Sequence, residues 1–215
     1  MKYYLSLFIL FLISDTLGQI PVEIFVGDKK ASADLMFFRF IKSGDGTNSE
    51  WLFFNRNRSV VDYKMNSTTY LPAFGHTMAF SYNNKHFIGF APVSVLQINN
   101  SGVTPKLGMQ YAHSSKEFLF FSWAVNEVKE EAMTDFFFLF RFSPPLNEDL
   151  NLFLQIESFN ALPLLSENNL NLVQRLRIGI KMNAFQVGAG VDLNELGKNT
   201  FKVLENYGLF LRYEY

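Results

Sequence analysis

The chain has no cysteine in 215 residues. That absence excludes a disulfide framework, a cysteine nucleophile, thiolate metal ligation and a lipid anchor on a cysteine after a leader. Charge of one sign is missing too. Nineteen Lys and Arg stand against twenty Asp and Glu, for a formal net charge of −1, so no electrostatic attraction to nucleic acid is expected. Beyond the N-terminal stretch no apolar run reaches the length of a membrane helix, because Arg, Asn, Gln or Glu interrupts each one. No segment of convincing length carries the helical period, and there is no internal repeat and no domain boundary. The sequence also lacks a metal-ligand cluster, a phosphate loop and a nucleotide fingerprint, so no metal and no cofactor is expected.

What the chain has in abundance is aromatic residues. Phe alone contributes 25 residues, aromatics reach 17% and hydrophobics 48%, yet the mean hydropathy is only slightly positive. A helical membrane protein lies well above that value, and a soluble domain rarely carries so much Phe. A barrel whose alternate residues face lipid gives this intermediate figure. At the N-terminus, Met1-Lys2 is a short positive start, Tyr3 to Ser14 an apolar run, and Thr16-Leu17-Gly18 a small-residue cleavage site. Residues 1–18 therefore read as a secretory signal peptide, leaving 19–215 as the mature domain.

The last nine residues carry the most specific pattern. Tyr207, Leu209, Leu211, Tyr213 and Tyr215 alternate with Gly208, Phe210, Arg212 and Glu214, a period of two with one apolar face. This segment resembles the C-terminal strand of bacterial outer-membrane β-barrels. The resemblance implies that Tyr207, Leu209, Leu211, Tyr213 and Tyr215 form the insertion signal read by the barrel assembly machinery. It also implies a place in the outer membrane, in contact with its lipid.

The same alternation recurs along the chain. Phe136, Phe138, Phe140 and Phe142 oppose Arg141; Leu150, Leu152, Leu154 and Ile156 oppose Asn151, Phe153, Gln155 and Glu157. Leu172, Leu176, Ile178, Ile180 and Met182 oppose Val173, Arg175, Arg177, Gly179 and Lys181. Pro92 lacks a donor and should mark a bulge or strand end. The expected fold is all-β, a closed antiparallel transmembrane barrel of about 12 strands, with 10 as the alternative. Tight connections at 83–85, 114–116, 144–149 and 183 fall on one side. Longer ones at 99–104, 127–134, 160–169 and 193–202 fall on the other, the arrangement of periplasmic turns and outer loops.

If apolar faces meet lipid, the lumen collects Arg39, Arg56, Arg58, Arg141, Arg175, Arg177, Lys181 and Arg212, opposed by Glu157, Asp192 and Glu214, with Gln155 and Gln186. A charge on the lipid face near the midplane costs about 2–4 kcal/mol, which favours the inward placement. The pattern around Arg56 and Arg58 leaves their orientation open. Phe37, Phe118, Phe120, Phe137, Phe153 and Phe210 are expected to point inward and narrow any pore. Two functions remain: a small channel for polar or anionic solutes, or a barrel plugged by its own ion pairs that serves a structural or docking role. Size and aromatic lumen are similar to those of the small nucleoside-specific Tsx-like channels, a likeness that transfers no site residues. His113-Ser114-Ser115 superficially resembles the His-x-Ser of lipid A deacylases. It lies at a turn, lacks the Asn that follows in that family, and has no assignable orienting acid. The expectation is a monomeric, non-enzymatic channel.

Overall fold

The computed structural model describes residues 20–64, 73–129, 132–163 and 169–214. Twelve strands run in sequence: β1 Pro21–Gly27, β2 Lys30–Lys42, β3 Asn48–Asp62, β4 Ala73–Tyr82, β5 Phe90–Asn99, β6 Gly102–Ser114, β7 Phe118–Glu127, β8 Thr134–Phe142, β9 Leu150–Leu162, β10 Leu170–Met182, β11 Phe185–Gly197 and β12 Phe201–Glu214. Each pairs antiparallel with its neighbours in the chain, and β1 pairs with β12 from Pro21↔Glu214 to Gly27↔Gly208. The sheet therefore closes and has no edge. The count is twelve rather than ten.

Alternation sets the two faces. On β12, Leu209, Leu211 and Tyr213 are exposed while Asn206, Phe210, Arg212 and Glu214 are buried. On β10, Ile178, Ile180 and Met182 are exposed and Arg177 is buried. The exterior is thus a band of apolar side chains, and at the end where β1 begins it is bordered by aromatic pairs across neighbouring strands. Trp51 packs against Tyr82 at 5.3 Å, Phe90 against Tyr111 at 4.9 Å and Phe185 against Tyr213 at 4.8 Å between ring centroids. An even-stranded antiparallel barrel with an apolar band and an aromatic girdle is the form that spans an outer membrane, which places this chain there. The expected signal peptide, residues 1–18, and Tyr215 of the insertion signal lie outside the described residues.

The turns alternate as the sequence suggests, but their lengths do not. At the girdled, proximal end the connections span 43–47, 83–89, 115–117, 143–149 and 183–184, and the second of these holds a 3₁₀ turn at Lys85–Phe87. At the distal end, the expected loops at 99–104 and 193–202 shrink to 100–101 and 198–200. The strand ladder continues there to Asn99↔Gly102 and Gly197↔Phe201, because its hydrogen bonds join main-chain groups whatever the side chains. Pro92 is the third residue of β5, pairs outward with Met109, and does not end the strand.

One pair of glycines limits how the wall can curve. Gly179 and Gly188 face each other across β10 and β11 on the lumen side, and a methyl group on Gly188 would collide with the Ile178 carbonyl oxygen. Only two bare backbones fit this approach. Gly188→Val should lower stability by about 1–3 kcal/mol, whereas Ala189→Val, on the exposed face, should leave it nearly unchanged. Urea unfolding of both variants refolded into lipid vesicles, followed by the heat-dependent gel shift, checks this.

Candidate functional site: the lumen

Inward residues divide the lumen into two unlike halves. Strands β2 to β8 contribute an apolar wall of Met36, Phe54, Ala79, Val93, Val95, Phe121, Trp123, Val125, Phe137 and Leu139, all buried. Phe38 reaches it from β2, its ring 4.7 Å from Phe121 on β7, and Phe54 on β3 meets Trp123 edge-on at 5.2 Å. Rings from well-separated strands touch inside the barrel, so this half is filled rather than open.

This corrects three inward placements and one lipid-facing set. Phe37, Phe118 and Phe120 lie on the outer set. Phe37 packs edge-on against outward Phe53 at 6.0 Å, and Phe120 pairs with outward Phe138. The row Leu119, Phe121, Trp123 and Val125, which reads as a lipid face from sequence, turns inward. The outward face of β7, with Ser122 and Asn126 beside Phe118 and Phe120, is the more polar of the two, so its alternation points the wrong way. Pairing with β8 decides the matter, because Trp123 sits opposite inward Phe137. Phe137, Phe153 and Phe210 do point inward.

The charged half is built on β9 to β12 and β1, with Arg56 and Arg58 from β3, Asp34 from β2 and Arg141 from β8. Glu157 on β9 binds Arg175 on the adjacent β10. It also accepts from Arg56, whose Nη1 donates to Oε1 at 2.9 Å and Nη2 to Oε2 at 3.1 Å. β3 and β9 lie half-way round the ring from one another, so this contact crosses the lumen. On its own side Arg56 also binds Asp34, with Nε donating to Oδ1 at 3.0 Å. Asp34, Arg56 and Glu157 make a crossbar. Arg58 reaches Asp192 on β11 at 3.1 Å, and Asp192 accepts from Arg177 Nη1 at 2.8 Å. Arg177 also donates to Glu23 at 3.0 Å and lies over the Phe25 ring, 4.0 Å from its centroid. Nearer the proximal end, Gln155 accepts from Arg141 at 3.1 Å and from Arg212 at 3.0 Å. Glu214 accepts from Lys181 at 2.7 Å.

The structure therefore brings Arg56, Arg58, Arg141, Gln155, Glu157, Arg175, Arg177, Lys181, Asp192, Arg212 and Glu214 into one interior network, and Gln186 is buried on the same face. Arg39 does not join them. It pairs with Phe53 on the outer set of β2, close to the bulge between Phe40 and Lys42, where a long side chain can lead its charge to the proximal interface. Sequence reasoning missed Glu23, Asp34, Lys106 and Asp135. Lys106 and Asp135 pair, buried, on the distal apolar side. Glu23 and Asp34 share parity with inward Phe25 and Met36, a signal that alternation could have given.

Space remains at the seam between the halves and, in a smaller cavity of about 110 Å³ lined by Arg58, Arg175, Asp192 and Asn206, within the charged half. In the distal half, a cavity of about 210 Å³ is lined by Arg56, Arg58 and Arg175, by Phe54, Trp123, Phe137 and Phe159, and by Gly75, Thr77 and Gln97. On the proximal side of the crossbar, the space lined by Pro21, Glu23, Gln155 and Arg212 shrinks to about 10 Å³. The crossbar is the narrow point.

No protein-family model matches the chain, and no curated protein matches it in sequence. Among solved structures it is similar to the KdgM porin in complex with disordered oligogalacturonate, at 8% identity over 92% of this chain and 99% of that one, with a TM-score of 0.48. It is similar to the NanC porin at 9% identity, over 91% and 98% of the chains, TM-score 0.49. The outer-membrane expressed OmpT of Vibrio cholerae aligns at 8% identity over 92% and 96%, TM-score 0.39. These are resemblances of general build and do not reach the side chains of the lumen.

Glu157 neutralises two guanidiniums from a site where it is 2% exposed. Removing its charge strands both, and breaking a buried pair from one side costs about 3–5 kcal/mol. Glu157→Gln should lower unfolding stability by that amount in urea titrations, while Glu148→Gln, in an exposed turn, should change it by less than about 0.5 kcal/mol.

Proposed function

We propose that the protein is a small outer-membrane channel that admits polar or anionic solutes from its distal end and rests closed at the Asp34–Arg56–Glu157 crossbar. The observation that supports this reading is the distal cavity, which has three guanidiniums and no carboxylate on its wall and ends at ion pairs rather than at packed hydrocarbon. Ion pairs can exchange partners with an arriving anion, and a filled aromatic core cannot. The proximal end then faces the periplasm. Arg177, Arg212 and Lys181 continue the basic path beyond the crossbar, each held by Glu23 or Glu214. Residues 1–18 serve as the leader, and the outward row of β12, Tyr207 to Tyr213, is the segment offered to the assembly machinery. We take the working unit to be the monomer. The nucleoside preference of Tsx-like channels remains a narrower form of the same proposal, supported by the aromatic part of the cavity's lining.

The second reading, a plugged barrel with a structural or docking role, is favoured by the residual 10 Å³ beyond the crossbar and by the buried aromatic half. An enzymatic role draws no support from His113, whose ring lies at the proximal rim, 5.3 Å from Phe118.

Planar-bilayer recordings separate the two readings. The refolded protein should give small, infrequent steps, and Arg56→Ala combined with Glu157→Ala should raise the conductance severalfold. Arg175→Ala with Arg177→Ala should move the reversal potential away from anion preference. Silence in all three proteins, each folded by the gel-shift criterion, would favour the plugged barrel.

A further inference from the structure

We infer that the distal cavity is a binding site for a small aromatic carboxylate, a single flat ring bearing one anionic group. The inference rests on the channel reading of the same lumen and names the class of solute that it would select.

Three observations carry it. The first is the mixed lining. Phe54, Trp123, Phe137 and Phe159 offer ring surfaces around the same space that Arg56, Arg58 and Arg175 line. An occupant matched to both kinds of lining has an apolar face and a negative end, because an aliphatic acid leaves the rings unfilled and a neutral ring leaves the free Nε donors unanswered. The second is unused donors. The Trp123 indole N–H and the Nε groups of Arg58 and Arg175 are buried and have no hydrogen-bond partner among the described residues. A buried donor without an acceptor is unfavourable because it gives up its bond to water and gains none, and Trp123 is only 5% exposed. Three such donors on residues that line one cavity make a site that lacks its acceptor, and a carboxylate supplies two acceptor oxygens. The third is size. At about 210 Å³ the space is below the roughly 300–1,000 Å³ of drug-sized sites, which favours one ring over a chain of linked ones.

The neighbouring carboxylates do not already fill this role. Glu157 binds Arg56 and the Arg175 Nη1, and Asp34 binds Arg56 and the Arg58 Nη1, while Asp192 meets Arg58 through Nη2, so each of these carboxylates leaves the two Nε groups unmet. Asp192 is 4.0 Å from Arg175 Nε, beyond hydrogen-bond reach.

Trp123 makes the test direct. The chain has two tryptophans, and Trp51 lies on the exposed outer girdle, so Trp51→Phe leaves Trp123 as the sole reporter. The refolded W51F barrel is titrated with benzoate, with benzamide as the uncharged isostere and acetate as the ringless acid. Saturable quenching by benzoate, at least tenfold tighter than by either control, supports the site. Absence of saturation, or equal response to benzamide, overturns it. Arg58→Gln with Arg175→Gln should weaken benzoate at least tenfold. Because removing lumen charges can impair folding, a second variant fills the space without touching a charge. A side chain at Gly75 meets nothing within 4 Å, and Gly75→Val should abolish quenching in a barrel that keeps its gel shift. Undiminished binding in Gly75→Val would also overturn the assignment. Failure here is distinct from failure of the channel. Benzoate binding by a barrel that never conducts upholds the site and removes the channel, and conduction without binding does the reverse.

Discussion

Glu157 holds one guanidinium from the next strand and another from the opposite wall, and much of the interior follows from that arrangement. A closed sheet of twelve strands encloses more space than its side chains fill by alternation alone. Here the space is closed by reaching across. Arg56 spans from β3 to β9, and Phe38 and Phe54 reach β7 from β2 and β3. Buried charges are tolerable only when paired and hydrogen-bonded, so cross-lumen reach and charge pairing are one solution to one constraint. Arg177 illustrates it, with a carboxylate on each side and an aromatic ring beneath.

That solution also explains why the two halves differ. Where inward residues are apolar, rings meet and exclude water. Where they are charged, they form a lattice whose members can change partners. The seam between the halves is where neither rule is fully met, and a cavity lined by three residues with unanswered donors, Arg58, Trp123 and Arg175, is found there. Function, in this account, sits where packing and pairing are both incomplete.

Much of this was legible in the sequence, and the exceptions have a common cause. Strands with one polar face, such as β10 with Arg175, Arg177 and Lys181, revealed their orientation because lipid rejects charge. The Arg141 strand and the terminal strand did likewise. β7 did not, since Phe118, Leu119, Phe120 and Phe121 offer apolar groups to both sides and only pairing with β8 chooses. Arg39 misled for the opposite reason: near a strand end a charge can leave the membrane along the outside, so polarity stops reporting direction. The crossbar itself was out of reach. Alternation says which face a residue takes, but not which residue on the far wall it will meet, and that depends on how far the barrel is drawn together.

The central claim is that Arg56 and Glu157 hold opposite walls together. A double-mutant cycle measures it: urea unfolding in lipid vesicles of the wild type, Arg56→Ala, Glu157→Ala and the double variant. A coupling energy of about 1–3 kcal/mol, with the double variant much less destabilised than the sum of the singles, is the result predicted. Effects that simply add would mean the two walls do not meet, and would contradict the account.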